Sequence, residues 1–141
     1  MPSKYKNDVF ISYRQQDPDK TWVQKALLPK LEEADLKVCI DFRDFELGAD
    51  LISEMERSVD NSRYTVGVFT PRYLESEFTR FENILAQYLS LESRSVRFIG
   101  IMRENCSLPS RERLKLWLDM TKDDQFSTQV DRLVKQIKAR Y

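Results

Sequence analysis

Apolar residues in this chain fall into two patterns, short continuous runs and stretches at helical spacing. The continuous runs predict buried strands at residues 9–11, 38–40, 64–69, 96–101 and 116–118. Apolar positions three to four residues apart predict helices over residues 19–35, 50–60, 76–92 and 126–139. Strand and helix therefore alternate along the whole chain.

Four residues mark where the predicted helices and strands begin, bend or stop. Asp50 and Ser76 carry side-chain oxygens that can cap the second and third helices. Pro29 should kink the first helix or begin its second half, because proline lacks the N–H that a helix interior needs. Pro71 ends the third strand.

The alternation predicts one α/β domain built on a parallel sheet. Continuous apolar strands are typical of a parallel sheet that helices cover on both faces. We expect a flavodoxin-like, doubly wound sheet of five strands in the order 2-1-3-4-5. Such sheets bind ligands outside the carboxyl ends of their strands, which here are residues 12–14, 41–48 and 70–73.

A response-regulator receiver has the same architecture and is a natural alternative. Its chemistry requires an aspartate at the end of the third strand. This chain has Phe69, Thr70 and Pro71 at that point. The receiver hypothesis therefore fails on its central residue.

Composition and charge exclude several classes of protein. The 141 residues suit a single domain, with a core expected over about 5–140. The 23 basic and 23 acidic residues give a formal net charge of zero, which argues against a nucleic-acid partner. No apolar run approaches the roughly 18 residues of a membrane span. Two cysteines are too few for a disulfide scaffold, so we expect a reducing, cytoplasmic location and no membrane partner.

The chain contains no histidine, which narrows the chemistry available to it. Ser-His-Asp and Cys-His catalysis are excluded, and no metal site is expected. With three glycines there is no GxGxxG motif and no P-loop. Any catalysis must use carboxylates, lysines, arginines and hydroxyls.

Three family boxes, in order and at family spacing, resemble the Toll/interleukin-1 receptor (TIR) domain over nearly the full chain. They are Asp8 to Tyr13, the loop from Asp41 through Gly48 into Leu51-Ile52, and, as a loose match, Leu116-Trp117-Leu118. The segment from Phe78 to Glu82 adds to the resemblance. The charged, long-helix style is similar to bacterial TIR domains. A lone TIR domain is often one part of a larger chain, so this sequence is either a complete domain or an excised piece.

In its NAD-cleaving branch, the family places a catalytic glutamate four residues after a tryptophan. Here Glu82 takes the glutamate position and Phe78 the tryptophan position, which keeps an aromatic face without the indole N–H. The resemblance further implies nucleotide contacts by Tyr13, Arg14 and Glu46. From periodicity alone, Glu82 is better explained as a solvated glutamate favoured by the helix dipole; the resemblance favours the catalytic role. Arg14 is equally explained as a solvated loop residue.

The segment from Asp41 to Gly48 corresponds to the loop through which TIR domains contact one another. The resemblance therefore implies other TIR domains as partners. Asp41 is expected to fix this loop by backbone hydrogen bonds. The proposed contact residues are Arg43, Asp44, Phe45, Leu47 and Gly48. For Phe45 and Leu47 the alternative is that they pack back onto the domain.

Three functions remain open at this point. The resemblance implies a NAD glycohydrolase or cyclase in immune or stress signalling, giving nicotinamide plus ADP-ribose or a cyclic isomer, with NAD as substrate and no cofactor. One carboxylate can stabilise the oxocarbenium-like transition state of that reaction, which suits a chain without histidine. The alternatives are a non-catalytic TIR–TIR interaction module and a generic nucleotide-binding domain. Glu82 favours the enzyme, because purely adaptor TIR domains often lack that glutamate.

Overall fold

A computed structural model describes residues 5–48, 50–76, 98–105 and 117–139. Its centre is a five-stranded sheet in the order β2-β1-β3-β4-β5, and every neighbouring pair is parallel. The predicted strand order and the flavodoxin-like class are thereby confirmed. The strands are β1 Asn7–Ser12, β2 Val38–Cys39, β3 Ser62–Phe69, β4 Phe98–Met102 and β5 Trp117–Asp119.

Helices connect these strands and cover the sheet. They are α1 Asp19–Trp22, a π-helical segment Val23–Leu27, α2 Leu28–Glu33, α3 Asp41–Asp44, α4 Leu51–Asn61, α5 Pro71–Ser76, a 3₁₀ turn Asp123–Gln125 and α6 Phe126–Lys138. No helix in the described ranges combines the length and the apolar composition that crossing a membrane requires.

Helix α1, the π-helical segment and α2 follow one another without a break, and Pro29 lies in the first turn of α2. The alternative that Pro29 begins the second half of the helix is confirmed. A widened turn comes just before it, where the Leu28 N–H donates to the Val23 carbonyl, five residues earlier. A proline ring clashes with the carbonyl four residues back, here that of Lys25. A π-turn at that carbonyl is one way for a helix to absorb the clash.

The cap predicted at Asp50 is confirmed. Its carboxylate accepts the Ser53 N–H at 2.9 Å and the Ser53 hydroxyl at 2.9 Å. These bonds satisfy a donor that the first turn of α4 would otherwise leave without a partner. They also hold the pKa of the Asp50 carboxyl below its usual value, the backbone bond contributing most.

Two short helices, α3 and α5, occupy segments that the pattern predicts as loops. Helix α5 begins at Pro71, whose fixed φ suits a first helical position. The Thr70 hydroxyl accepts the Tyr73 N–H at 3.1 Å, a capping bond. Ser76 is a residue of α5 and its last described one, and the helix predicted over 76–92 lies beyond it, outside the described residues.

The strands alternate their side chains between two layers of helix. One layer joins the sheet to the first helical run and α6; its buried residues include Val9, Ile11, Val66, Ile99, Leu27, Leu31, Val130, Leu133 and Ile137. On the other face α4 packs on β1 and β3, where the Cys39 thiol contacts the Ser58 hydroxyl at 3.5 Å. The predicted covering of both faces is present.

We expect Leu133→Ala to lower the free energy of unfolding by about 2–5 kcal/mol, because it opens a cavity in a fully buried position. Urea denaturation checks this. The neighbouring change Arg132→Ala, on the exposed side of α6, should alter stability by about 0.5 kcal/mol or less. Equal effects of the two changes would contradict the described orientation of α6.

Candidate functional site

The carboxyl ends of three adjacent strands bring separate parts of the sequence together. Strand β1 is central and lies between β2 and β3. It ends in Ser12, followed by Tyr13 and Arg14, while α3 follows β2 and Thr70 follows β3. The predicted nucleotide-contacting residues at 13–14 and the predicted interaction loop at 41–48 thus meet at one edge.

Tyr13 is buried, and its hydroxyl connects separate segments of the chain at this edge. Its hydroxyl donates to Asp41 Oδ1 at 2.8 Å and accepts from Gln24 Nε2 at 2.9 Å. The Gln15 amide also donates to Asp41 Oδ2. Burial is the main cause that raises the pKa of Tyr13 well above its usual range; the hydrogen bond from Gln24 lowers this pKa, and the Asp41 carboxylate raises it further. Asp41 therefore fixes the loop through side-chain hydrogen bonds as well as through its place at the start of α3.

Arg14 offers a donor at the same edge. Its Nη2 donates to Gln16 Oε1 at 2.7 Å. Its Nη1 is buried and makes no hydrogen bond to the part of the chain that the structure describes. A guanidinium N–H without a partner is suited to an anionic oxygen such as a phosphate. Nucleotide contact by Arg14 stays a prediction.

The first half of the 41–48 loop is tied to the sheet. The Asp44 carboxylate accepts the Ile40 N–H at 2.8 Å. Arg43 donates to the Val38 carbonyl at 2.6 Å and pairs with Glu32 at 2.8 Å. Hydrogen bonding to Glu32 is the main cause that raises the pKa of Arg43. Both predicted interaction residues thus have a role in holding the loop.

The second half of the loop contains one apolar residue that packs on the sheet and one that faces solvent. Phe45 packs back onto Phe10, with ring centroids 6.0 Å apart and planes at 23°. Leu47 is 99% exposed and Glu46 is exposed. Gly48 has φ +83°, a conformation that side chains disfavour, so glycine is needed there. Of the two apolar loop residues, Phe45 packs back onto the domain and Leu47 faces solvent.

A second network lies at this edge. The sequence places Ser12 and residues 70–73 here, but it does not predict the hydrogen bonds between them or the part that Asp19 takes. Ser12 and Tyr73 share a hydrogen bond of 2.7 Å between their hydroxyls, and Thr70 donates to Asp19 Oδ2 at 2.6 Å. All four side chains are at most 6% exposed. The Thr70-Pro71 pair is a helix-start signal, from which Tyr73 could have been predicted to lie in the first turn of a helix. Asp19 could not have been predicted as buried, because an acidic residue at the start of a helix is ordinarily exposed.

Phe78 and Glu82 lie outside the described residues, so their placement relative to this edge stays a prediction. Among the described residues no group of three or more histidine, cysteine, aspartate or glutamate side chains could hold a metal ion.

A polar cavity of about 140 Å³ lies beside β2 and α4, and Asp44 of the anchored loop forms part of its wall. No sequence pattern indicates this cavity, because its walls come from four separate segments. They are formed by Lys6, Asn7, Cys39, Asp44, Arg57, Ser58 and Asn61.

The chain matches one family model and is similar to a receptor of known sequence. The family model for the TIR domain matches residues 9–134. Toll-like receptor 13 of Mus musculus is 34% identical over 118 residues, which cover 79% of this chain and 12% of the receptor. The chain thus spans about an eighth of that relative, and the bacterial subtype stays a prediction.

Solved structures agree with the family match. The TIR domain of the Toll-related receptor TRR-2 from Hydra magnipapillata is 25% identical, has a TM-score of 0.77, and covers 94% of this chain and 98% of its own. The heterodimer of the RPS4 and RRS1 TIR domains shares the fold at 15% identity and a TM-score of 0.57, covering 93% of this chain and 95% of its own.

The raised pKa of Tyr13 predicts a pH dependence of stability. The folded state favours the neutral phenol, so this contribution is complete below the unfolded pKa of about 10 and is lost as pH rises above it. Between roughly pH 9 and 11, the free energy of unfolding should fall more steeply for the wild type than for Tyr13→Phe. Urea denaturation across that range measures both slopes, and identical slopes would contradict the described environment of Tyr13.

Proposed function

Because this chain belongs to the TIR domain family, we propose that it is a signalling module that assembles with other TIR domains through its 41–48 loop. The observation that carries this proposal is Leu47, whose side chain is 99% exposed on a loop that is otherwise anchored. A single exposed leucine is ordinary on a protein surface. Leu47 is a candidate contact because its loop corresponds to the one through which TIR domains contact one another.

The anchoring of the loop supports this role. Tyr13 holds Asp41, and the Asp44 carboxylate holds the backbone of Ile40. Phe45 stacks on the sheet residue Phe10. A loop that is already ordered loses less conformational freedom on binding, so more of the contact energy appears as affinity. Solved TIR domains of other proteins associate, as the heterodimer named above does.

We expect Leu47→Glu to weaken self-association by at least about tenfold, because it places a charge in the contact while leaving the anchors intact. Analytical ultracentrifugation over a wide concentration range measures the effect. Thr128→Glu, on the exposed side of α6, is the matched control and should associate like the wild type. Unchanged association of folded Leu47→Glu would show that the loop is not the contact.

Leu47 is a cleaner probe than Phe45 or Gly48. Phe45→Ala also removes the stacking on Phe10, and Gly48→Pro cannot adopt the observed φ of +83°. Loss of association in either variant would not distinguish a lost contact from a disturbed loop.

The second proposed function is cleavage of the nicotinamide–ribose bond of NAD in immune or stress signalling. Two features favour it over a purely structural module. Arg14 Nη1 has no partner among the described residues, at the edge where flavodoxin-like sheets bind nucleotides. Phe78 and Glu82 stand at the spacing of the family's aromatic and catalytic residues.

In this proposal Glu82 stabilises the positive charge that develops on the ribose as nicotinamide leaves. Arg14 pairs with the pyrophosphate, Phe78 stacks on a ring of the substrate, and Glu46 adds a contact. Tyr13 is buried and bonded to Asp41 and Gln24, so in this proposal it supports the edge on which these contacts are made. The leaving group is formally cationic and needs little acid assistance, so one carboxylate suffices. Water then gives ADP-ribose, or an internal nucleophile gives a cyclic isomer. No cofactor or metal is required.

We expect Glu82→Gln to lower the rate of nicotinamide release by about 10²–10³, since it removes one charge that faces the transition state. Chromatography of concentrated protein incubated with NAD measures the rate. Glu75→Gln, on the exposed side of α5, is the matched control. Wild-type activity in folded Glu82→Gln would show that Glu82 is not the catalytic residue.

The two proposed functions predict a link between them. If assembly completes the site, specific activity should rise with protein concentration, and Leu47→Glu should remove that rise. Specific activity that is flat across a wide concentration range in both proteins would show that the site is complete within one chain.

A further inference from the structure

Strand β2 lies at one edge of the sheet, and Ile40 continues it in an extended conformation with φ −142° and ψ 140°. The Lys37 carbonyl accepts the Val9 N–H of β1 at 3.2 Å. Backbone groups of successive residues in an extended strand point to opposite sides, so those of Val38 and Ile40 point away from β1. Two N–H groups and two carbonyls therefore form the outer edge of β2, the kind of row on which another strand can pair.

Arg43 and Asp44 cover three of these four outward groups. Arg43 Nη2 donates to the Val38 carbonyl at 2.6 Å. The Asp44 carboxylate accepts the Ile40 N–H at 2.8 Å, and the Ile40 carbonyl accepts the Asp44 N–H at 2.9 Å. Arg43 is itself held by Glu32 at 2.8 Å. The cover is thus fixed at both ends, by the edge and by α2.

Stability alone is a weak reason for this arrangement. A backbone group at an open edge is hydrogen-bonded by water, so an intramolecular bond in its place adds little to the free energy of unfolding. Charged side chains and loops that cover an edge are, by contrast, a common means by which sheet proteins avoid pairing with other chains. The two side chains here have opposite charges, and they cover one acceptor and one donor.

A second copy of this chain fits the outer edge of β2 in one register. Antiparallel pairing about a two-fold axis at Cys39 would place Val38 opposite Ile40 of the second copy. Residues opposite each other in this way exchange both N–H···O bonds, so all four outward groups of each copy would be used. The Val38 carbonyl would then accept the Ile40 N–H of the second copy. These are the two groups that the side chains of Arg43 and Asp44 cover.

We propose that the Arg43–Asp44 pair keeps the outer edge of β2 closed against pairing with a second copy. Copies of the chain are thereby prevented from joining sheet to sheet, and the surface around Leu47 stays open for other contacts. The inference rests on neither function proposed above, because it concerns a surface that those functions do not use.

The decisive variant combines Arg43→Ala with Asp44→Ala in a Leu47→Glu background, which suppresses the proposed loop contact. It frees the Val38 carbonyl and the Ile40 N–H and keeps the net charge of the background. Analytical ultracentrifugation should show an association constant at least about tenfold above that of the background, because hydrogen bonds between copies become available.

Exchange of the Ile40 amide, followed by NMR in D₂O, shows whether the new contact is the proposed one. In the background this exchange should be slow at every protein concentration, because Asp44 accepts the N–H. In the double variant it should be at least about tenfold faster in dilute solution and slow again where the copies associate. Local unfolding would instead speed the exchange at every concentration.

Three controls in the same background separate an opened edge from a disturbed surface. Arg43→Lys with Asp44→Asn keeps a donor and an acceptor at the pair. Lys30→Ala with Glu33→Ala removes another exposed ion pair, at 3.7 Å on α2. Tyr13→Phe removes a hydrogen bond that holds the loop and leaves the edge covered. All three should associate like the background.

The outcomes decide the inference separately from the proposed functions. A folded double variant that sediments like the background at every concentration would overturn it, as would association that any control shares or that leaves the Ile40 exchange fast. If the double variant does not fold, Arg43→Ser with Asp44→Ser carries the same test with polar residues that suit a loop. If Leu47→Glu associates like the wild type, the loop contact fails, while the comparison of double variant and background still decides this inference.

Discussion

The end of β1 is the constraint from which the functional edge is built. Two consecutive residues there, Ser12 and Tyr13, form hydrogen bonds in diverging directions. Tyr13 bonds to Asp41 after β2, and Ser12 bonds to Tyr73 after β3. Successive side chains of a strand point to opposite faces, so one strand end can hold both neighbouring connections. The strand lies between β2 and β3, which makes both connections reachable.

This arrangement gives the edge an anchored part and an open part. Partly buried hydrogen bonds fix the start of the 41–48 loop and buried ones fix Tyr73, whereas Leu47 and Glu46 face solvent. Binding surfaces benefit from such a division, because ordered surroundings reduce the entropy that an exposed contact loses on association. The same division suits catalysis, because supporting residues must hold catalytic groups in a fixed geometry.

The sequence predicted the architecture well and the site in part. The Asp50 cap and the stripe of α6 followed from capping chemistry and periodicity, which are local properties of the chain. The strand order followed from the flavodoxin-like class that the alternation of elements indicated. Tyr13 and Arg14 were placed at the correct edge, because loops after parallel strands share that edge. The exposure of Leu47 and the packing of Phe45 could not be separated, since both are apolar residues in one polar segment. The roles of Phe78 and Glu82 remain predictions.

What the sequence determined by itself is the alternation of the main strands and helices and the family to which the chain belongs, because hydrophobic period and motif spacing are read along the chain. What only the tertiary structure decided is which polar side chains meet. Ser12 and Tyr73 are 61 residues apart, and Asp19 and Thr70 are 51 apart. No local pattern marks an aspartate at a helix start as buried; its burial depends on the element folded over it. The anchor of α5 is therefore a property of the assembled sheet and helices, since a hydrogen bond depends on a distance in space that spacing along the chain does not specify.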